Sequence, residues 1–381
     1  MSIPVLWHKK KGVFAVENKI QKVASHFEMG SALFKSAEVY GTGHINETYR
    51  VIYTENGQDH PYIFQKINTN IFKKPDQLMD NMARVLEQSA KSLADHPDKA
   101  RRCIHLVPAR DGKKFYWDNE MGCWRVYHFI SGARTYDILE TEEQAYQAAK
   151  AFGAFQHLLA DLPGDRLFET IPNFHDTPSR YANFEKALAE DKAGRAALCQ
   201  EEIAFAKKFS VNAPRLVDLL AKGELPERIT HNDTKLNNVL LDDATGEGIC
   251  VIDLDTVMPG LSLYDFGDMV RTSVSPAAED EMDLTKVQAR TNVFRALVKG
   301  YLEGAQGCLT AKEIELLPFS GMLITYEIGL RFLTDYLEGD VYFRTHRENH
   351  NLDRCRTQFT LVQRLLEKEE ELNSITKEFM K

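Results

Sequence analysis

The residue pattern with the clearest chemistry is His231-Asn232-Asp233-Thr234-Lys235-Leu236-Asn237-Asn238, which runs into the apolar segment Val239-Leu240-Leu241. It reads H-x-D-x-x-x-x-N followed by a strand-like stretch. In loops of this kind the aspartate orients or deprotonates a hydroxyl group, and the asparagine holds Mg²⁺. The pattern therefore indicates phosphoryl transfer, with Asp233 at the attacking hydroxyl and Asn238 as a metal ligand.

A second acidic residue follows at a suitable spacing for a metal site. The apolar segment Ile249–Ile252 ends at Asp253, twenty residues after Asp233. Two short strands and a turn fill that interval and predict a hairpin. Such a hairpin would bring Asn238 and Asp253 side by side, and their oxygen atoms are hard ligands that suit Mg²⁺. A strand-end aspartate is common by chance, but the combined spacing is not.

The segment Asp265-Phe266-Gly267 spells the magnesium motif of protein kinases, but its context differs. No strand leads into it, and Tyr264 to Arg271 are predicted to begin a helix with Asp265 near its cap position. We therefore expect a structural role for Asp265. Only about ten residues separate Asp253 from this helix, and no A-P-E motif follows. Too little chain remains to hold a peptide, so the acceptor is expected to be a small molecule.

A glycine-containing turn near the N-terminus could bind phosphate groups. Gly41-Thr42-Gly43-His44-Ile45-Asn46 lie between two predicted strands. Glycines let backbone N–H groups approach phosphate oxygens closely. The third glycine of the protein-kinase pattern is replaced by Asn46, and a plain hairpin turn is the alternative.

Lys66, on the third predicted strand, is a candidate for binding nucleotide phosphates. It lies on the same strand face as Tyr62 and Phe64, and a lysine among aromatic side chains needs an anionic partner. The acid that fixes it is expected on the following helix, where Asp80 and Glu87 are equally suitable. An exposed lysine on an edge strand is the alternative.

Three side chains near the motifs carry weaker signals. His231 is expected to be a structural tie to the backbone. Lys235 could reach the transferred γ-phosphate, with a solvated loop lysine as the alternative. Asp255 would point into the acceptor site, or else cap the turn at Gly260. The twelve histidines show no H-x-x-x-H or H-E-x-x-H spacing on a helix, so zinc is not expected.

Short strands are predicted in the first third of the chain and helices thereafter. Strands are indicated around Glu38–Tyr40, Thr48–Tyr53 and Tyr62–Ile67, with a further hairpin between residues 115 and 127. Asp76 to Leu93 have the spacing of an amphipathic helix, and helical periodicity dominates from Thr141 onward. The boundary is expected near residue 130. The prediction is an α+β fold with an N-terminal nucleotide-binding part (1–130) and a mostly helical part (131–381) that carries the catalytic loop and acceptor site.

Composition narrows the function classes. The chain has 381 residues, 43% hydrophobic and 27% charged, as in ordinary globular proteins. A net charge of -9 argues against a nucleic-acid-binding protein. No segment approaches the ~20 apolar residues of a membrane span, and the N-terminus has no signal-peptide pattern. The six cysteines are scattered, which is typical of thiols in a reducing compartment. A cytoplasmic location is expected, without nucleic-acid or membrane partners.

These motifs resemble the aminoglycoside phosphotransferase/choline kinase superfamily, and most closely its N-acetylhexosamine 1-kinases. The resemblance spans nearly the whole chain. The catalytic motifs are shared across the superfamily, whereas the turn T-G-H-I-N and the helix R-F-L-T-D-Y are more selective. The similar segments are Tyr40–Asn46, His231–Val239, Val251–Gly260, Tyr264–Asp268 and Thr325–Asp340.

The resemblance implies a bilobal protein-kinase-like fold and an ATP- and Mg²⁺-dependent kinase acting on the anomeric hydroxyl of N-acetylglucosamine or N-acetylgalactosamine. It implies that Asp233 faces the sugar O1, assisted by Lys235, and that Asn238 and Asp253 hold magnesium. The implied nucleotide contacts are Gly41, Gly43, Lys66, Tyr127, His128, Phe129 and Leu240. The implied sugar contacts are His44, Asn46, Asp255, Arg271, Tyr326 and Arg331, of which Tyr326 and Arg331 could instead be interior helix residues.

Two other interpretations remain open. The same fold could phosphorylate homoserine, choline, methylthioribose or an aminoglycoside. The chain could also be an inactive nucleotide-binding scaffold, although Lys66, Asp233, Asn238 and Asp253 are all present. The preferred sugar epimer and the oligomeric state are left undetermined by the sequence.

Overall fold

The computed structural model of the chain describes residues 16–41 and 45–380. Gly43 and His44, two of the expected contacts, lie outside the described residues. By its internal contacts the chain divides into two compact units, Met1–Ser131 and Gly132–Lys381.

Over the residues that the structure describes, the first unit consists of short strands and three helices. Its elements are α1 (residues 16–24), β1 (Leu33–Val39), β2 (Glu47–Glu55), β3 (Gln58–Ile67), α2 (Pro75–Ser92), α3 (Lys99–Arg102), β4 (Leu106–Val107), β5 (Tyr116–Asp118) and β6 (Gly122–His128). The strands form one antiparallel sheet in the order β1-β2-β3-β6-β4, and β5 pairs with β6.

The β2–β3 turn follows directly from its sequence. Asn56 and Gly57 adopt φ angles of 52° and 80°, and Asn-Gly is the pair that tolerates positive φ at both central positions of a tight hairpin. This turn fixes the register in which Glu47 faces Lys66.

The two faces of this sheet carry different neighbours. On one face, Phe64 and Trp124 pack with Phe27 and the α1 residues Ile20 and Val23 in a buried cluster. On the other face, Gln65 accepts hydrogen bonds from the Arg125 guanidinium, whose Nη1 lies 3.4 Å from Met82 Sδ of α2. Residues one position apart on β3 therefore meet different helices.

The second unit is mostly helical. Its elements are β7 (Ala133–Arg134), α4 (Glu142–Leu159), α5 (Thr177–Glu190), α6 (Gln200–Phe209), α7 (Arg215–Ala221), β8 (Arg228–Thr230), β9 (Val239–Asp242), β10 (Gly248–Val251), β11 (Met258–Gly260), α8 (Ser262–Ser273), α9 (Thr291–Ala305), α10 (Ala311–Glu315), α11 (Leu317–Glu338), α12 (His350–Glu367) and α13 (Glu369–Glu378). The strands form two small sheets, β10-β9-β7 and β11-β8.

Helix α4 supports the β9–β10 hairpin through unusually close packing. A Cβ atom on Gly248 of β10 would lie 2.5 Å from the carbonyl oxygen of Gln147 in α4, and one on Gly304 of α9 would lie 2.1 Å from that of Lys150. Real Cβ atoms do not approach carbonyl oxygens so closely, so only glycine fits at either position. The hairpin is thereby seated directly on the helical core.

Helix α11 is the central element of this core. Nineteen of its 22 residues are buried, and a helix that is apolar on all sides is normally enclosed by others. It contacts α5, α8 and α12. In the part of the chain that the structure describes, no helix is long and apolar enough to cross a membrane.

Candidate active site

The catalytic loop begins where β8 ends. Thr230, the last residue of β8, pairs with Met258 of β11, and the loop passes through a 3₁₀ turn at Leu236–Asn238 into β9. The β9–β10 hairpin predicted from the sequence is present, with Val239 opposite Val251. The loop is thus held at both ends by short antiparallel pairs.

Asp233 lies at the centre of a charged group. Its Oδ1 is 2.8 Å from Lys235 Nζ, and its Oδ2 accepts a hydrogen bond of 3.1 Å from Asn238 Nδ2. Burial, the largest single effect, would raise the pKa of Asp233, but the charge and hydrogen bond of Lys235, with smaller contributions from other nearby groups, together lower it. Asp233 is therefore a carboxylate at neutral pH.

Asn238 and Asp253 are brought together by the hairpin. The N–H of Ile252 donates to the carbonyl oxygen of Asn238 at 2.9 Å, which places Asp253 next to Asn238. Asp253 is exposed and has a φ of 59°, a left-handed conformation that aspartate tolerates better than most residues.

The donor set fits magnesium. Asn238 uses its NH₂ group toward Asp233, so its amide oxygen faces away from that carboxylate. Mg²⁺ commonly takes one or two protein oxygens and completes its shell with water and substrate phosphates. Among the described residues there is no cluster of three or more His, Cys, Asp or Glu that would hold a metal without such help.

The Asp265 carboxylate anchors the catalytic loop to α8. It is fully buried and accepts hydrogen bonds from the backbone N–H groups of His231 (3.0 Å) and Asn232 (2.7 Å). Gln156 Nε2 adds a third donor at 3.1 Å. The structural role predicted for Asp265 is confirmed, and the carboxylate belongs to the first turn of α8.

His231 is also structural, as predicted. Its Nδ1 accepts from the N–H of Asp233 at 3.3 Å, and its Nε2 lies 2.9 Å from the carbonyl oxygen of Ile252. Since a carbonyl can only accept, the ring carries its proton on Nε2. His231 therefore ties the catalytic loop to the residue before Asp253.

Two expected acceptor contacts are buried close to this group. Arg271 is held by Asp268 Oδ1 at 2.7 Å and by Glu279 Oε1 at 2.9 Å. Burial raises the pKa of Asp233, and the charge of Arg271, to a lesser degree than that of Lys235, helps to lower it. Asp255 is 4% exposed and lies in the 3₁₀ turn Leu254–Thr256.

Three aromatic rings surround the Arg331 guanidinium. The guanidinium is 5.4 Å from the ring centroid of Phe174, 5.9 Å from that of Tyr342 and 5.5 Å from that of Phe343. Arg331 is half-buried and has no hydrogen-bond partner among the described residues. The N–H groups of Arg331 are therefore not used by hydrogen bonds within the described part of the chain.

The sequence interpretation missed the aromatic residues around Arg331. Tyr342 is 58% exposed, and the Asp335 carboxylate accepts from the N–H groups of residues 341–343, which makes that segment rigid. The available signal was the run of three apolar residues just after Gly339-Asp340.

Tyr326 does not belong to this group. It is fully buried, its hydroxyl donates to the carbonyl oxygen of Ala206 at 2.8 Å, and its ring packs against Phe209 and Phe359. The assignment of Tyr326 to the sugar is corrected to the alternative, an interior residue of the helical core.

The ion pair expected for Lys66 is also corrected. Lys66 Nζ lies 3.9 Å from Glu47 Oε1 across the β2–β3 pair. Neither Asp80 nor Glu87 can pair with it, because α2 packs on the opposite face of the sheet, where Gln65 points. Near this pair, Asn46 Oδ1 accepts from the N–H of Asn68 at 2.9 Å, and Gly41 has a φ of 80°.

The backbone donors expected to meet adenine are partly used within the first unit. The N–H of His128 donates to His105 and that of Phe129 to Pro61, because β6 continues its pairing into this segment. Tyr127 is paired with Ile63 and Leu106. The N–H of Ile130 makes no hydrogen bond to any residue in the described ranges. In the second unit, Leu240 is half-buried on β9.

Comparison with solved structures confirms the fold class. An aminoglycoside phosphotransferase from Alicyclobacillus acidocaldarius matches with a TM-score of 0.60 at 11% identity, covering 94% of this chain and 96% of that one. A spectinomycin phosphotransferase in complex with ADP and spectinomycin matches with 0.57 at 13%, covering 93% and 98%. A choline kinase from Cryptosporidium parvum matches with 0.55 at 15%, covering 96% and 99%. The predicted α+β fold, with an antiparallel sheet and a helical C-terminal part, is that of these kinases.

A family model supplies the assignment at the level of sequence. The model described as the phosphotransferase enzyme family matches residues 36–300. That range runs from the first strand through the catalytic loop, Asp253 and α8 into α9, and it covers more than half of the chain. The chain belongs to the phosphotransferase enzyme family.

Proposed function

We propose that this phosphotransferase transfers the γ-phosphoryl group of ATP to the anomeric hydroxyl of an N-acetylhexosamine, N-acetylglucosamine or N-acetylgalactosamine, in the presence of Mg²⁺. The observation that carries the proposal is the contact of Asp233 with Lys235 and Asn238, beside Asp253. The identity of the sugar rests on the resemblance of the His44 turn and the Arg331 helix.

Asp233 orients the attacking hydroxyl and accepts its proton. Its lowered pKa keeps it charged at neutral pH, which makes it a weak base. An anomeric hydroxyl is more acidic than an ordinary alcohol, so a weak base is sufficient. Lys235, 2.8 Å from Asp233, neutralises charge on the transferred phosphoryl group. Positioning and electrostatics carry the rate enhancement in phosphoryl transfer.

Asn238 and Asp253 would hold magnesium. When bound, the metal supplies Lewis-acid neutralisation of the charge on the phosphate oxygens. Asn238 also donates to both the side chain and the backbone carbonyl of Asp233, so one residue couples the metal site to the proton acceptor.

ATP would be bound by the turn containing Gly41 and Gly43, by Lys66 and by the segment after β6. Lys66 stands opposite Glu47, the first residue of β2 after the turn, and is half-exposed. With the N–H groups of His128 and Phe129 already used, the carbonyl of His128 and the N–H of Ile130 are the acceptor and donor that adenine requires.

Arg331 would bind the sugar. Its unused N–H groups can donate to hydroxyl or acetamido oxygens, and the exposed ring of Tyr342 offers an apolar surface beside it. Asp255 and Arg271, in the same unit as Arg331, complete the proposed contacts. Another small hydroxyl acceptor, such as homoserine, choline, methylthioribose or an aminoglycoside, is the second candidate, and an inactive nucleotide-binding scaffold is the third.

The first prediction separates these candidates. With ATP and Mg²⁺, a coupled assay of ADP release over the acceptors named above should show turnover with N-acetylhexosamines, and phosphorus NMR should show an anomeric phosphate. Asp233→Asn should abolish turnover while nucleotide binding, measured by calorimetry, is retained. Turnover of choline or an aminoglycoside alone would favour the second candidate, and no ADP release with any acceptor the third.

The second prediction tests Lys66 with a matched control. Lys66 and Lys19 both contact the Glu47 carboxylate, at 3.9 Å and 2.7 Å. Lys66→Met should raise the KM for ATP about tenfold, because one charge contact to phosphate is worth ~1.4 kcal/mol or more. Lys19→Met removes the same charge from the same carboxylate and should leave this KM unchanged. Equal KM values in the two variants would remove Lys66 from the nucleotide site.

A further inference from the structure

Asn232, the residue before Asp233, is held at every polar atom. It has a φ of 64°, in the left-handed region that costs most residues free energy. Its N–H donates to Asp265, and its side chain bonds to Thr230 and to the carbonyl oxygen of Thr256. Its own carbonyl oxygen lies 3.1 Å from Nε2 of His175. The backbone that delivers Asp233 therefore depends on His175 for one of its constraints.

His175 faces a hydrogen-bond acceptor on each side of its ring. Nε2 meets the Asn232 carbonyl, and Nδ1 lies 2.8 Å from Oε1 of Glu327 in α11. The second carboxylate oxygen of Glu327 accepts from the hydroxyl of Thr177 at 2.6 Å. A neutral imidazole has one N–H and cannot satisfy two acceptors. One extra proton must therefore reside in this buried pair.

The surrounding groups keep Glu327 in its carboxylate form. Burial alone would raise the pKa of Glu327, but the charge and hydrogen bond of His175, the Thr177 hydroxyl and the charge of Arg331 outweigh it and lower the pKa. Tyr264, whose ring centroid is 5.2 Å from that of His175, has a pKa raised by burial and stays neutral. Asp176 is engaged with the N–H of Ser179, and Arg180 with the carbonyl oxygen of Phe174.

We infer that His175 and Glu327 form a buried imidazolium–carboxylate pair whose second N–H holds the Asn232 carbonyl and thereby positions Asp233 for catalysis. His175 and Glu327 do not touch the reacting atoms; they are positioning residues. The inference rests on the proposed role of Asp233 as the group at the attacking hydroxyl. It assigns a purpose to the segment around His175, for which the sequence patterns indicated none.

The pair also joins the loop to the helix that carries Arg331. Glu327 and Arg331 are four residues apart on α11, so they lie on the same face of the helix. The residue before His175, Phe174, contacts Arg331. One buried ion pair thus sets the position of Asp233 relative to the proposed sugar-binding arginine.

The protonation state is tested without any acceptor. In ¹⁵N NMR of the histidine-labelled enzyme, the His175 signals are assigned by their absence in His175→Phe. Both ring nitrogens should carry protons at neutral pH in the wild type, and Glu327→Gln should leave one proton, on Nε2, because glutamine can donate to Nδ1. A single ring proton in the wild type would overturn the charged pair.

Positioning is tested with a variant that removes the charged pair and leaves only the Asn232 carbonyl oxygen without its partner. His175→Phe/Thr177→Val/Glu327→Met replaces the whole set by apolar groups of similar size, which is often neutral for stability. It should stay folded and melt only a few degrees below the wild type, because one buried carbonyl loses its donor. It should keep its KM for ATP and lose kcat about 100-fold, as misplacement of a catalytic group by ~1 Å can cost. Glu327→Gln retains the bond to Asn232 and should lose less than tenfold.

This design separates failure of the proposed function from failure of the positioning role. The kcat arm uses whichever acceptor the wild type turns over, so a wrong sugar in the proposed function leaves the comparison of variants intact. Wild-type kcat in the folded triple variant would overturn the positioning role. If no acceptor is turned over, the proposed function fails, while the NMR result still decides the charged pair.

Discussion

The catalytic loop has an exposed side and a buried side, and the aspartates on the two sides have different roles. Asp253 is exposed at the end of β10, next to Asn238. Asp265 is fully buried and meets three N–H donors. Both are aspartates close in sequence to magnesium-binding patterns. The hydrogen-bonding surroundings of the carboxylate, and not the letters of the motif, separate a proposed metal ligand from a structural anchor.

Among the substitutions that compare the two sides, the one on the exposed side should have the largest effect on turnover. Asp253→Asn should lower turnover about 1,000-fold, because a Lewis-acidic metal supplies several kcal/mol of charge stabilisation and each ~1.4 kcal/mol is a factor of ten. Asparagine tolerates the left-handed backbone, so the free energy of unfolding should change by less than ~0.5 kcal/mol. Steady-state kinetics and urea unfolding measure the two quantities. A large loss of stability with retained turnover would place Asp253 with the structural residues.

On the buried side the effect should be on stability. Asp265→Ala leaves the N–H groups of His231 and Asn232 without their acceptor, and the Gln156 amide keeps only its bond to the Ile229 carbonyl oxygen. Since each unsatisfied buried group costs ~1–3 kcal/mol, unfolding should become easier by about 3 kcal/mol or more. Asp253→Asn is the matched control in the same urea titration. If Asp265→Ala unfolds like the wild type and loses only its metal dependence, the literal D-F-G interpretation would be restored.

The smallest expected effect concerns Lys235 and the pKa of Asp233. Lys235 lowers the pKa of Asp233 against the opposing effect of burial. Lys235→Met should therefore raise this pKa, and the acidic limb of the kcat/KM profile should move to higher pH, because protonated Asp233 cannot accept the hydroxyl proton. If the acidic limb moves to lower pH instead, a group other than Asp233 limits activity in acid. Lys312→Met, on the surface of α10, is the control and should leave the limb in place.

Lys235→Met should also change how the free energy of unfolding depends on pH. A carboxylate whose pKa is lowered in the folded protein contributes stability above its unfolded pKa and loses it as pH falls through the folded one. Lys235→Met removes part of that contribution at neutral pH, and the two proteins should converge in acid. Because both side chains are partly exposed, the difference should be small.

Local patterns predicted the elements well. The strands, the α2 helix and the β9–β10 hairpin were recognisable because alternation, helical periodicity and turn residues act over short stretches of chain. The structural role of Asp265 was also predictable, since the helix after it is encoded locally. Helix α1 and the short strand β4 were not recognised; β4 has only two residues.

Positions that depend on the face of an element were predicted less well. Lys66 was expected to meet an acid on α2, but which face of the sheet that helix covers is decided by tertiary packing. Tyr326 and Arg331 lie on one helix and looked alike as sugar contacts. Packing encloses Tyr326 against Phe209 and Phe359 and leaves Arg331 half-exposed.

By itself, the sequence determined the catalytic loop, the hairpin that brings Asn238 to Asp253, and the class of chemistry, because these depend on residues within about twenty positions of one another. The tertiary structure decided which carboxylates are anchors. His175 reaches Asn232 across 57 positions and Glu327 across 152, and no local pattern specifies such pairs. They form because α11 packs against α5, which follows His175, and against α8, whose Asp265 holds Asn232. Burial then requires the polar groups between these helices to find partners.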